Sequence, residues 1–336
     1  MRPVRAAASL CLLVPLALAA PPAAGESPPG AGEDAAIAKA VDDSIGWFRN
    51  KDFGLLFRVH SAGPELFLYQ PASTDTVRSG EEFRKFAEVF RDPSVAYLRH
   101  EVRDLRIHRA RLEPVAWFSA LLDDCALSSG KEGCWKGARW TGVLEKRGGA
   151  WVMVHGHISF TADPARSAIP PEEARARAAA AGDSLAPSGA HPEVERVIRA
   201  GFSWARTKDT ALLFGTRSQG ADLFVYGPSS SVPVVGFEAF RERARKLWLS
   251  DDFVAKGYDV RDLRIHLSPE GTVAWFSAVV DDWCEIAGRP DGWKDVRWTG
   301  VLERRDGTWL YVQGHFSYAA DRLAPRPAAT PGAGAP

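Results

Sequence analysis

The sequence predicts an α+β fold built twice in tandem: short helices lead into a mostly antiparallel meander of long strands, and then the whole unit recurs. Three observations predict it. The stretch VRDLRIH stands at 102–108 and again at 260–266, and VAWFSALLDDC (115–125) is answered by VAWFSAVVDDWC (273–284) at the same offset of 158 residues. WKGARWTGVLEKRGGAWVMVHGHISF (135–160) is matched by WKDVRWTGVLERRDGTWLYVQGHFSY (293–318), with 16 of 26 positions identical. Within each copy the apolar period changes from helical spacing to alternation, so the helices come first and the strands after.

Ile37, Val41, Ile45 and Phe48 fall at helical spacing across 34–50, and Val194, Ile198 and Phe202 do so from His191 onward. Each helix is followed by a KD pair and a second apolar turn, LLF at 55–57 and 212–214. The offset here is 157, so the second copy gained one residue in the stretch matching about 87–102. ELFLYQP (65–71) and DLFVYGP (222–228), which carry Tyr69 and Tyr226, read as short strands closed by proline. EEFRKFAEVF (81–90) and EAFRERARKL (238–247) are helical. Long strands are expected at 97–109, 112–123, 137–147 and 150–161, with RGG and RDG marking tight hairpins. The domains are therefore placed at 34–162 and 191–320. A flexible lead occupies 26–33, a Pro/Ala-rich linker 163–190, and a tail expected to be disordered 321–336.

A chain of 336 residues, 46% hydrophobic, can bury two cores. Lys+Arg and Asp+Glu number 42 each, so no global field draws the protein to nucleic acid. Arg2 and Arg5 precede the apolar AAASLCLLVPLALAA (6–20), and small residues at 19–25 offer cleavage sites. Residues 1–25 thus read as an export signal, with an uncleaved anchor as the alternative, and the protein is expected to be periplasmic or secreted. No other run reaches that length, so no membrane span is expected once the signal is removed. Leu10 before Cys11 argues against a lipid-modified cysteine. The remaining cysteines are Cys125, Cys134 and Cys284. Cys125 and Cys134 flank ALSSGKEG and are placed to form a disulfide in an oxidising compartment. The second copy has Trp283 and Gly292 there, which leaves Cys284 as an odd thiol. No Cys/His spacing suggests a zinc site, and no phosphate loop, nucleophile elbow or HExxH helix occurs, so no metal or cofactor is expected.

The order of elements, with each copy closing on a hairpin that reads Trp, a few apolar residues, then His-x-Ser (Trp151/His157/Ser159 and Trp309/His315/Ser317), resembles the SnoaL-like branch of the nuclear transport factor 2-like superfamily. The resemblance covers roughly 34–161 and 191–319. It implies two tandem cone-shaped α+β rolls, each a curved sheet wrapped around its helices to leave a pocket. Members of that superfamily include isomerases, cyclases and hydratases as well as binding and assembly proteins, so the fold leaves activity open. The ketosteroid isomerases among them use a carboxylate before a proline after the first strand, where this chain has Gln70 and Gly227. Their second acid aligns near Thr141 and Thr299. Chemistry of that type is not expected.

Alternation places Trp151, Met153, His155, His157 and Ser159 on one strand face, and Trp309, Tyr311, Gln313, His315 and Ser317 on the matching one. That face suits a pocket wall or a domain contact, with His157 and His315 either pocket groups or core histidines. Asp123-Asp124 and Asp281-Asp282 end an apolar strand; Asp123 and Asp281 are candidates for acid–base work or for pairing with Arg139 and Arg297. In VRDLRIH, Val102, Asp104, Arg106 and His108 alternate with Leu105 and Ile107, as a solvated face would. Trp117 and Trp275 complete the candidate pocket set of Tyr69, Trp117, Asp123, Arg139, His157, Tyr226, Trp275, Asp281, Arg297 and His315. Arg139 with Glu145, and Arg297 with Glu303, are expected to hold sheet geometry by charge pairs with neighbouring strands.

Three functions fit. The first is an exported, non-catalytic protein whose domains pack as an intrachain pseudo-dimer and bind a small apolar ligand. The second is a lyase, cyclase or isomerase working in the cone. The third is a cell-envelope interaction module.

Overall fold

The computed structural model describes residues 31–162 and 189–322. The expected export signal, most of the expected lead, nearly all of the expected linker and most of the expected tail lie outside the described residues. The chain forms two tandem α+β domains. In the first, α1 (Ala31–Gly46), α2 (Phe53–Val59), β1 (Phe67–Tyr69) and α3 (Gly80–Ala87) precede β2 (Val95–Arg109), β3 (Val115–Ser128), β4 (Lys131–Arg147) and β5 (Ala150–Ser159). The second repeats the order as α4 (Pro192–Ser203), α5 (Thr210–Gly215), β6 (Phe224–Tyr226), β7 (Val234–Val235), α6 (Phe237–Lys246), β8 (Phe253–Leu267), β9 (Val273–Ile286), β10 (Arg289–Arg305) and β11 (Thr308–Ser317). The two open sheets run β1-β5-β4-β3-β2 and β7-β6-β11-β10-β9-β8. All pairings are antiparallel except β1 with β5 and β6 with β11.

Local chemistry sets these elements. In each KD pair the lysine (Lys51, Lys208) takes a left-handed φ of 52° that turns the chain. The aspartate then caps the next helix, with Asp52 accepting from Leu55 N at 2.8 Å and Asp209 from Leu212 N at 2.9 Å. The hairpins turn through two residues of positive φ: Ser129-Gly130, Gly148-Gly149, Ala287-Gly288 and Asp306-Gly307. The chain departs from the expected boundaries at its ends. Residues 31–33, expected in the lead, begin α1, and Glu33 bonds Lys146 Nζ at 2.6 Å and Trp151 Nε1 at 3.0 Å. Asp321, expected in the tail, accepts from Ser73 N at 2.8 Å. The β3–β4 hairpin is longer than expected, as is β9–β10, and in β3–β4 Cys125 and Cys134 pair directly across it and are joined by a disulfide.

Bulges overturn two expected faces. Asp104 and Asp262 take a φ of 52° inside a register shift between Arg103 and Arg106, and between Arg261 and Arg264. One extra residue puts Val102 in phase with Leu105 and Ile107 against the core, while Arg106 and His108 turn to the far side. VRDLRIH is therefore a bulge motif, which is why it recurs intact. In β5 a shift at Val143/Leu144 leaves Val154 extra, and β11 repeats it at Val301/Leu302. Trp151 and Met153 consequently face the helices, whereas His155, His157 and Ser159 face away from them.

Each sheet packs its inner face on its own helices, giving one core around Ile37, Phe118 and Trp140 and another around Ile198, Phe276 and Trp298. A third core joins the outer faces of the two sheets. It contains Val115, Trp117, Val143 and Val154 with Val273, Trp275, Val301 and Val312, each residue accompanied by its mate 158 positions on. A contact in which the same patch is used by both partners has the form of a two-fold interface.

Candidate functional site

Two features compete as the site: a cavity inside each domain, and the seam between the sheets. The second domain holds a cavity of about 290 Å³ between helices and sheet, and the first a smaller one of about 110 Å³. Trp204, Trp248, Trp293, Trp298, Phe240 and Phe316 supply much of the larger wall, with Asp282, Arg217 and Arg243 as its charged members. Burial, reinforced by nearby Asp291, pushes the Asp282 carboxyl up to about 7. Arg217 donates to Leu213 O and lies 4.7 Å over the Phe240 ring, and burial brings its guanidinium down to about 10. Tyr311 accepts from Trp298 Nε1 at 2.9 Å, and its hydroxyl rests on Gly314, where a Cβ would come within 2.0 Å of the oxygen. The smaller cavity repeats the plan with Asp124 and His60. Burial raises the Asp124 carboxyl, whose Oδ1 has no hydrogen-bond partner among the described residues. His60 donates Nδ1–H to Leu56 O at 3.0 Å, and burial lowers its imidazole to about 4.

At the seam the rings of His157 and His315 stack at 3.8 Å, both fully buried. Each bridges to the other domain: His157 Nδ1 to Thr299 Oγ1 at 2.9 Å and Nε2 to Ser317 Oγ at 2.8 Å, His315 Nδ1 to Thr141 Oγ1 at 3.0 Å and Nε2 to Ser159 Oγ at 2.8 Å. Burial comes first in holding both rings well below the usual imidazole range, followed for His157 by His315 and then Arg297 and Arg139, and for His315 by Arg139 and Arg297, so they are neutral. Arg139 donates to Gly227 O, Ser230 O, Phe160 O and Ser159 Oγ, and Arg297 to Gln70 O, Tyr318 O and Ser317 Oγ. Neither forms an ion pair among the described residues; burial brings each down to about 10, and Tyr226 and Tyr69 lie 5.4 and 5.2 Å beneath them.

The ten candidate pocket residues are not gathered on either of these two cavities. Tyr69 borders the smaller cavity, and the other nine line neither. Trp117 and Trp275 belong to the core between the sheets, and Tyr69, Arg139, His157, Tyr226, Arg297 and His315 surround the stacked histidines. The β5 bulge accounts for this, since it turns the histidine face away from the helices. Asp123 is held by Arg103 at 2.9 Å and Gly137 N at 2.6 Å; these lower its carboxyl, and Arg139 takes no part. Asp281 is held by Arg261 at 2.8 Å and Asp295 N at 2.6 Å. The expected pairing of Glu145 and Glu303 with neighbouring strands is replaced by Arg147 and Arg305 of the same strand, and Glu303 also accepts from Arg111 N of the first domain at 2.8 Å. Cys125, Glu132 and Cys134 form a cluster of metal-ligand type, but both sulfurs are spent in the disulfide.

The match with a family model decides what these domains are. The model described as SnoaL-like domain matches residues 37–163 and again 194–321. The chain belongs to the SnoaL-like family. Three similar solved structures cover 38–39% of the chain. The association domain of C. elegans CaMKII is 17% identical and covers 38% of this chain and 96% of its own, at a TM-score of 0.31. A nuclear transport factor 2-like protein of unknown function from Shewanella oneidensis is 11% identical, with coverage of 38% and 99% and a TM-score of 0.30. One from Prochlorococcus marinus is 15% identical, with coverage of 39% and 94% and a TM-score of 0.32. A comparison with curated proteins returned no match.

The two SnoaL-like domains differ where their cavities differ. Phe48 packs on Phe90 with ring centroids 5.1 Å apart in the first domain, and Ala205 stands at the place of Phe48 in the second. Phe86 is likewise replaced by Arg243. Lost rings leave volume, which is why the second cavity is larger. The second aspartate of each DD pair, Asp124 and Asp282, lines a cavity, whereas the expected Asp123 and Asp281 do not. Strict alternation from Phe118, Ala120 and Leu122 leads to Asp124 on the core face, so the signal was present.

One departure from two-fold symmetry predicts a stabilising change. His155 is fully enclosed, burial lowers it to about 3, and its Nε2 has no partner among the described residues. Its mate Gln313 donates to Phe118 O at 3.0 Å. His155→Gln should gain the corresponding bond to Phe276 O and raise stability by about 1 kcal/mol at pH 7. Denaturant unfolding checks this, and unchanged or lower stability would contradict it.

Proposed function

We propose that this is an exported, non-catalytic binding protein in which two SnoaL-like domains pair as an intrachain pseudo-dimer and the second holds a small, mainly apolar ligand. The observation that carries the reading is the cavity of about 290 Å³, walled chiefly by tryptophan and phenylalanine with few charged groups. Reciprocal bonding at the seam supports the pairing, because every cross-domain bond of His157 has its counterpart at His315. The basic-then-apolar N-terminal sequence and the Cys125–Cys134 disulfide support export.

Asp282 favours a second reading, an isomerase or lyase of an apolar substrate, since a carboxyl near neutrality can exchange protons at physiological pH. Native mass spectrometry of the protein purified from its own periplasm separates the outcomes. A small molecule retained by the wild type and lost on heating is expected, and retention by Asp282→Asn as well favours binding over turnover. Recovery of ligand-free protein, together with no uptake of apolar dyes, would contradict the binding reading.

A further inference from the structure

The rim of the larger cavity is held from the other domain. Arg139, on β4 of the first domain, donates through Nη1 to Gly227 O and Ser230 O, and through Nη2 to Phe316 O at 3.4 Å. All three acceptors belong to residues that wall the second domain's cavity. Ala162 N adds a bond to Pro228 O at 3.1 Å on the same segment. The converse segment is also held, by Arg297 at Gln70 O, by Ala320 N at Pro71 O (2.8 Å) and by Asp321 at Ser73 N, but of these residues only Gln70 walls the smaller cavity.

A buried guanidinium suits this task. Its planar fork reaches several carbonyls at once from a fixed position, and Ser159 Oγ and Phe160 O hold the fork from behind at 2.8 and 2.9 Å. The segment it grips, from Gly227 to Pro233, lies between two short strands, and its carbonyls would otherwise need water inside the seam.

We propose that Arg139 of the first domain is a positioning residue for the second domain's ligand cavity, so that the first domain serves as the fixed support on which the binding domain completes its wall. The proposal rests on the reading that this cavity binds a small apolar molecule. It assigns unequal work to the two halves of a symmetric seam. Removing Arg139 should loosen the rim of the cavity that binds, while removing Arg297 should loosen only the smaller one.

The test titrates the full-length mature chain with N-phenyl-1-naphthylamine, a neutral apolar dye, well below the melting temperature of each variant. Ala205→Phe, which restores the ring that the first domain has at Phe48, should abolish dye binding. Arg139→Met should weaken it about tenfold, the scale of losing charge-assisted bonds to the wall. Arg139→Lys, which keeps the cation but loses the fork, should fall between wild type and Arg139→Met and carries the test if the methionine variant does not fold. Arg297→Met, equally buried in the same seam, should bind within about twofold of wild type, a difference that general weakening of the seam would not produce. Equal losses for the two arginines, or unchanged affinity in folded Arg139 variants, would overturn the proposal while Ala205→Phe still marks the cavity as the binding site. If wild type fails to bind the dye, or Ala205→Phe binds it normally, the binding reading falls and the proposal falls with it.

Discussion

Acidification from pH 6.5 to 5 should unfold the protein steeply. His60, His155, His157 and His315 are all enclosed, and burial lowers each imidazole: His60 to about 4, His155 to about 3, and the stacked pair well below the usual range. In the unfolded chain each takes up a proton near pH 6.5. Between the folded and unfolded values the unfolded state therefore binds four more protons, so stability falls as pH falls through that window and is level above it. Asp282 works against them, because its raised carboxyl makes the folded state bind one more proton below about pH 7. These five groups together give a net of about three protons, or about 4 kcal/mol per pH unit; His108 and His266, also lowered by burial, add to the loss, and Asp124, raised by burial, offsets it. A domain pair holding about 5 kcal/mol would then be lost by about pH 5, and one holding about 10 kcal/mol by about pH 4. Denaturant unfolding at half-unit steps from pH 8 to 5 gives the proton uptake directly. His155→Gln should lower it by about one. Stability that stays level down to pH 5 would show that these imidazoles are not enclosed as described.

Trp117→Ala and Trp275→Ala should each cost about 3–5 kcal/mol. Both residues point away from the helices of their own domain, on a sheet face that would meet water if the domains stood apart. Each is 1% exposed because the other sheet covers it, with Val143, Val154, Val301 and Val312 around the pair. Their indole nitrogens have no hydrogen-bond partner among the described residues, so the burial acts through packing. On an exposed face the same change would be worth under about 1 kcal/mol. The two substitutions should also couple, the double variant losing less than the sum, since the second widens a gap already opened. Thermal or denaturant unfolding of the three variants supplies the cycle. A small cost for either single variant would mean that its indole is exposed.

The fold was legible to the extent that local chemistry governs it. The duplicated segments, the KD turn with its capping aspartate, the GG and DG hairpins and the Trp…His-x-Ser closing strand could all be seen in the residues, because each acts over a few positions. The faces of the strands could not be read by simple alternation. Asp104, Asp262, Val154 and Val312 each insert one residue into a ladder, and every later side chain then changes side. The inserted Val154 and Val312 are what put His157 and His315 at the seam instead of on the helix side. The cavity carboxyl of the first domain follows from alternation on β3, because the inserted residues opposite it belong to β2 and β4 and β3 itself runs from Phe118 to Asp124 without one. The unequal cavities were written in the contrast of Phe48 with Ala205, legible once the two copies are aligned.

The pairing of two SnoaL-like domains inside one chain is tested most directly by cutting the chain between them. A protease site inserted between residues 163 and 188 and cleaved to completion leaves two halves with no covalent link. Size-exclusion chromatography with native mass spectrometry should then find both halves in one 1:1 species, held by the Trp117–Trp275 core and the His157–His315 stack. Halves that elute separately would contradict the pairing.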